Sequence, residues 1–241
     1  MVYTLEQEIP SYLCDRHDLL HPWAAVRLCQ EVTEYHGNSL GGGFDNLVKQ
    51  NRAWVIVRSY YEFHRRPASF EKVMLNTWPR GNDGLFAFRD YRMTTTAGEV
   101  LLTGTSYWTL IDYAQRRAVR LKDFIDIYTT HDELATSRQN LDRIKMPSFD
   151  EPDYTAVFKA NNSMIDHTMH VNNSEYIKLL FDTLAERDFD TNTPFSLELN
   201  FQHETKPFDQ LSVNLRTIDN TTFAQITNTQ GIIVNAKIER L

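Results

Sequence analysis

The sequence predicts an α+β chain of two similar units in tandem, each a strand, one long helix and then a run of antiparallel strands. Two observations carry this. Apolar residues fall at helical spacing twice, once after Pro22 and once after Asn172, and each stretch has one β-like segment before it and several after it. The second is an internal repeat. Tyr60–Trp78 parallels Asn200–Ile218: each is a strand closing on a basic residue plus proline (Arg66-Pro67, Lys206-Pro207), then an acidic turn and a further strand. A period this long means two like domains rather than a stacked array.

In order, Tyr3 to Leu13 alternates and reads as a strand. Pro22 suits the first turn of a helix, where a missing N–H costs nothing. Ala25, Leu28, Cys29, Val32 and Tyr35 then share one face, with Arg27, Gln30, Glu31 and Glu34 mostly elsewhere, and Gly37 is the expected stop. Gly41-Gly42-Gly43 lacks the preceding strand and the lysine of a phosphate loop, so it reads as a flexible connection. Trp54–Phe63 and Val73–Trp78 are β-branched and aromatic, and Leu85–Thr94 and Val100–Asp112 follow the turn at Gly81–Gly84 and enclose another at Ala97-Gly98. Arg116, Arg117, Arg120 and Lys122 then precede Asp123, Asp126, Asp132 and Glu133 with little periodicity, as expected of a linker with a short helix. The expected division is therefore 1–118, a linker at 119–150, and 151–241.

In the second unit Tyr154–Lys159 is a strand, and Asn172 with Glu175 three residues on fits a capping box. Tyr176, Leu179, Leu180, Thr183 and Leu184 make the helical stripe. Phe195, Leu197, Leu199 and Phe201 alternate with Ser196, Glu198, Asn200 and Gln202, a strand with one apolar face, and Glu204 continues the polar parity. Strands at Leu211–Ile218, Phe223–Thr229 and Ile232–Ile238 complete the unit.

Over 241 residues the net charge is −7, which argues against general nucleic-acid binding because that needs a basic surface. Cys14 and Cys29 are too few for a disulfide framework, and no Cys/His spacing fits zinc. Met1–Pro10 carries two glutamates and no apolar run, unlike a signal or transit peptide, and no stretch approaches membrane-spanning length. The expectation is a cytoplasmic protein that binds neither nucleic acid nor membrane.

The densest run of proton-moving groups is Met164–Tyr176. His170 is the general-base candidate, because imidazole titrates near working pH. Asp166, four residues earlier, is placed to hold the imidazole or to help position a water. Glu204 is a second carboxylate that reaches His170 only if the two units pair face to face. His167, His203, His64 and His131 read as structural or surface residues.

The run His170-Val171-Asn172-Asn173-Ser174-Glu175-Tyr176-Ile177, with Asn51–Arg58 and Trp108–Arg117 in the first half, resembles the acyl-acyl carrier protein thioesterases of plastids and bacteria. The resemblance covers nearly the whole chain. It implies two tandem hotdog domains, each an antiparallel sheet wrapped around a long central helix, paired side by side with ligand at their interface. It implies hydrolysis of a fatty acyl thioester on acyl carrier protein, with no cofactor and no metal. Asp166, His170 and Glu204 match the aspartate, histidine and glutamate of the plant enzymes. Thr168 stands where those have asparagine and Thr205 where they have cysteine, so a thiol nucleophile at that site is ruled out and water attack is favoured.

Thr168 and Thr205 are expected against the substrate, and Asn172 and Asn173 as helix caps bordering it. The oxyanion is expected to take backbone N–H groups around Val171–Ser174, at the positive end of the second helix. In the first unit Leu19 and Leu20 stand where the histidine would be. That unit is therefore expected to build the acyl pocket, from Trp23, Val26, Cys29 and Trp54. Arg65, Arg66, Arg116, Arg117 and Arg120 are candidate contacts for the acidic carrier protein. An acyl-CoA thioesterase of the hotdog superfamily and a non-catalytic acyl-thioester-binding module remain as alternatives. Two fused units already satisfy the minimal pairing, and a homodimer stays open.

Overall fold

The computed structural model describes residues 1–121 and 129–241. The run Lys122, Asp123 and Asp126, and the short helix expected near it, lie outside the described residues. The first unit comprises β1 (Tyr3–Glu8), α1 (Pro22–Ser39), α2 (Phe44–Lys49), β2 (Arg52–Phe63), β3 (Lys72–Asn82), β4 (Ala87–Thr95), β5 (Val100–Asp112) and the short β6 (Arg117–Ala118). The second comprises β7 (Tyr154–Lys159), α3 (Asn173–Ala185), β8 (Phe195–Phe201), β9 (Gln210–Ile218), β10 (Thr221–Asn228) and β11 (Gly231–Arg240).

Among the described residues the strands form one antiparallel sheet in the order β1-β3-β4-β5-β2-β8-β11-β10-β9-β7, with β6 beside β5. The order reads the same outward from its middle, β1 answering to β7 and β2 to β8, so the repeat in the sequence is a two-fold relation in space. The units join where β2 meets β8, with Arg58 opposite Asn200 and Phe63 opposite Phe195. The Phe63 and Phe195 rings stack there with centroids 4.6 Å apart, worth about 1 kcal/mol beyond the area they bury.

Both long helices lie on one face of this sheet. Val26, Cys29 and Val32 of α1, and Tyr176, Ile177, Leu180 and Leu184 of α3, are buried in one continuous core with Tyr61, Phe63, Leu197 and Leu199. The helices also meet directly: Arg27 donates to Ser174 Oγ at 2.9 Å and pairs with Glu175 at 2.5 Å. Glu175 therefore bridges the units and does not close a capping box. Asn172 caps α3 alone, its side chain accepting from the Ser174 N–H.

The opposite face at the seam is covered as well. Residues 133–145 run across it as a strap: Ser137 donates to Glu62, Arg138 pairs with Glu198 at 2.5 Å, and the Ile144 N–H donates to Asn200 Oδ1 at 2.7 Å. The polar face of β8 is consequently buried rather than solvated, with Glu198 and Asn200 met by the strap.

Several boundaries differ from expectation for local reasons. The first strand stops at Glu8, ahead of Pro10, and Ser11–Leu13 form a 3-10 turn. α1 runs through Gly37 to Ser39, because Gly42 N–H returns to the Gly37 carbonyl at 2.8 Å and closes the helix end. The glycine run is thus a tight reversal into α2, with Gly41 at φ 75°. β3 continues through Pro79, where the pairing with β4 shifts register and needs no N–H. No helix among the described residues is long and apolar enough to cross a membrane.

Candidate active site

The loop from Ile165 to Asn172 is a closed hairpin-like turn. Asp166 N–H donates to the His170 carbonyl at 3.0 Å, Met169 N–H returns to the Asp166 carbonyl at 3.0 Å, and Met169 takes a left-handed φ of 67°. The Asp166 carboxylate is its hub. One oxygen accepts from Thr168 N–H at 2.8 Å and from Thr168 Oγ1 at 2.5 Å, and the other from Asn172 Nδ2 at 3.1 Å. The described contacts of Asp166 thus fix the backbone that carries the imidazole, and none is to the ring itself.

The His170 ring is held at both nitrogens. Nδ1 lies 2.9 Å from the Thr168 carbonyl, which only accepts, so Nδ1 carries a proton. Nε2 lies 3.1 Å from Glu204 Oε2. Glu204 does not reach it from a strand: β8 ends at Phe201, and the carboxylate sits on the irregular segment beyond. Its other oxygen pairs with the Arg116 guanidinium from the turn between β5 and β6. The site is therefore assembled from both units.

Burial, and after it the Arg116 charge, hold the His170 imidazolium below its ordinary range, against the pull of the Thr168 carbonyl and Asp166. The short contact with Glu204 works the other way. A carboxylate 3.1 Å from Nε2 favours a proton there. Burial prevails over that single contact, leaving a neutral ring at neutral pH with Nε2 as the basic nitrogen. The His170 side chain is 26 % exposed and that of Glu204 42 %, so solvent reaches both.

A cavity of about 770 Å³ opens at this pair. It runs over Phe44, Leu47, Trp54, Ile56 and Trp108 of the first unit. Trp54, Thr168, Asn172 and Asn173 line it. Trp23 does not: its ring stacks on His21 at 5.5 Å and lies under the Arg27 and Lys178 cations. Val26 and Cys29 are buried in the core instead. The flank of α1 that faces the cavity is the polar one, Arg27, Gln30, Glu31 and Glu34. Thr205 is fully buried, with no surface for a substrate, and it neighbours the hydroxyl of buried Tyr176.

Other expectations change too. His167 and His203 border the cavity, and the His167 ring meets Phe44 edge-on at 4.3 Å. The Thr168 hydroxyl is committed to Asp166, and Asn172 is engaged at both ends, its Oδ1 accepting from Ser174 N–H and Oγ. Arg65 is clamped between Glu71 and Glu99, and Arg66 is buried on Asp15, Thr191 and Asn192. Neither is free surface charge. Arg116 belongs to the site, which no local pattern signals because its partner is far along the chain. In the first unit Asp15 accepts from His17 N–H as Asp166 does from Thr168 N–H, but Leu19 holds the place of His170. Among the described residues no group of three or more His, Cys, Asp or Glu is placed to hold a metal ion.

Residues 1–128 match the model of the acyl-ACP thioesterase N-terminal domain, and residues 149–239 that of the C-terminal domain. The chain is 25 % identical over 230 residues to oleoyl-acyl carrier protein thioesterase 2, chloroplastic, of Arabidopsis thaliana, covering 89 % of this chain and 63 % of that one. It is 26 % identical over 206 residues to the chloroplastic dodecanoyl-[acyl-carrier-protein] hydrolase of Umbellularia californica, covering 75 % and 50 %. It thus spans about three fifths or less of these relatives. Among solved structures, an acyl-ACP thioesterase from Bacteroides thetaiotaomicron superposes with a TM-score of 0.86 at 22 % identity, covering 99 % of this chain and 97 % of that one. The 12:0-ACP thioesterase from Umbellularia californica gives 0.86 at 19 %, covering 99 % and 96 %. These two establish the fold, a pair of hotdog units.

Proposed function

We propose that this chain, which belongs to the acyl-ACP thioesterase family, hydrolyses a fatty acyl thioester carried on acyl carrier protein to the free fatty acid and the carrier thiol. The observation that carries the reading is the His170–Glu204 contact at the mouth of a cavity lined by aromatic and aliphatic side chains.

In this reading a water lies between Nε2 and the thioester carbonyl carbon. It attacks as Nε2 takes its proton, and Glu204 stabilises the imidazolium that results. The tetrahedral intermediate collapses, the C–S bond breaks, and the imidazolium returns the proton to the leaving thiolate. Of the donors at the start of α3, Asn172 N–H is used by the Met164 carbonyl and Ser174 N–H by Asn172, and Val171 N–H makes a long bond of 3.4 Å to Thr205. Asn173 N–H makes none among the described residues, borders the cavity, and lies at the positive helix end, which suits it to the oxyanion.

The test is release of free thiol from one acyl group presented on acyl carrier protein and on coenzyme A. The reading expects faster hydrolysis of the carrier-bound form. Preference for the coenzyme A form would make this an acyl-CoA thioesterase, and binding without thiol release would make it a binding module.

A further inference from the structure

Glu204 lies on a segment without regular structure and is 42 % exposed, so the chain beneath it does not fix its carboxylate. Two contacts do. His170 holds Oε2 and Arg116 holds Oε1.

The turn that delivers Arg116 is built with care. Asp112 Oδ1 accepts from Gln115 N–H at 2.8 Å, the Asp112 carbonyl accepts from Arg116 N–H at 2.8 Å, and Asn51 accepts from the N–H groups of Tyr113 and Ala114. Arg116 itself takes φ 54°, a left-handed conformation that a non-glycine residue adopts at a cost. Its guanidinium lies 5.7 Å from the Tyr113 ring centre, a shelf that limits where the fork can point. Strain, a doubly pinned turn and an aromatic shelf thus converge on one cation, which leaves its own unit to meet a carboxylate of the other.

We propose that Arg116 is a positioning residue for the reaction: it holds the Glu204 carboxylate by Oε1 with Oε2 turned to His170, and so couples the first unit to the chemistry of the second. This rests on the His170–Glu204 reading above. It departs from a carrier-docking role for Arg116, which requires a cation free to meet the partner. The groups facing His170 are Glu204, Arg116, Asp166 and Lys206, with the Thr168 carbonyl behind the ring. Removing Arg116 takes away a cation that opposes the imidazolium.

The experiment is a double-mutant cycle on carrier-bound substrate with Arg116→Gln, Glu204→Gln and the pair, plus Arg116→Lys, each checked for unchanged thermal unfolding. Arg116→Gln is expected to lower kcat about 10- to 100-fold with KM within about twofold. The acid limb of its pH–rate profile should move to higher pH. In the Glu204→Gln background the same change should cost almost nothing more, because the group it positions is gone. Arg116→Lys should recover part of kcat, the charge being kept and the fork lost. A loss confined to KM, or one of equal size in both backgrounds, overturns the proposal and assigns Arg116 to the partner surface. Full activity in Glu204→Gln and His170→Ala overturns the site reading itself, a separate outcome.

Discussion

Acid should unfold this protein partly through one histidine remote from the chemistry. His36, near the end of α1, is 3 % exposed, stacks on Tyr3 and lies with Nδ1 3.2 Å from Arg89, a residue that borders the cavity. Burial first, then the Arg89 charge and the chain's amino terminus, push its imidazole from 6.5 down to about 4. Because the folded value is depressed, the unfolded chain takes up the proton first as pH falls. The stability this group contributes is complete above pH 6.5 and is lost as pH falls toward 4. Linkage then gives a loss of about 2 kcal/mol by pH 5 and about 3 kcal/mol by pH 4. The assay is urea unfolding of the wild type and His36→Asn at pH 7, 6 and 5. Asparagine keeps an acceptor for Arg89 but does not titrate. The wild type should lose about 2 kcal/mol more than the variant between pH 7 and pH 5. Parallel stability curves would refute the assignment of a buried neutral imidazole.

Three further outcomes are expected. The rate of thioester hydrolysis should rise from the acid side with an apparent pKa below the ordinary imidazole value and be flat near neutrality, since His170 is the base and its imidazolium is disfavoured; a limb well above that value would contradict the geometry. Asp166→Asn should turn a donor toward Thr168 or Asn172 and loosen the loop, lowering kcat roughly 10- to 100-fold with little change in unfolding temperature; steady-state kinetics and calorimetry check this together. Gly104→Ala should destabilise the first unit by about 1–3 kcal/mol, because the added methyl would lie 2.5 Å from the fully buried Tyr61 ring. A stability unchanged in denaturant titration would mean that the ring can move.

The parts of the fold legible in the sequence are those with local periodicity. The stripes of α1 and α3 mark faces that are buried, and the basic-residue–proline repeat marks the two-fold relation between the units. The polar side of β8 was legible as a pattern but not in its fate. Ser196, Glu198 and Asn200 alternate as a solvated face would, yet they are buried under a strap, part of the stretch with no periodicity to announce it. His170 and Asp166 stand out because they crowd one short loop. Strand parity and family resemblance set Glu204 against His170, but the strand ends before it, and the contact is made by the loop beyond. Arg116 read as a surface charge because its partner lies in the other unit, and no local rule reports a contact of that span. Trp23 escapes a local reading for another reason: an aromatic residue at a helix start suits a pocket wall or a cation-covered surface equally, and Arg27 and Lys178 decide for the latter.

The account turns on the contact between one imidazole and one carboxylate drawn from loops on either side of β8. The most direct measurement is single-turnover hydrolysis of an acyl-carrier-protein thioester by wild type, His170→Ala, Glu204→Gln and the double variant. Each single change should slow hydrolysis by about 10²- to 10⁴-fold, and the double should be scarcely worse than the slower single, as for groups that act as one unit. Turnover at the wild-type rate in either single variant, or losses that simply multiply in the double, would contradict it.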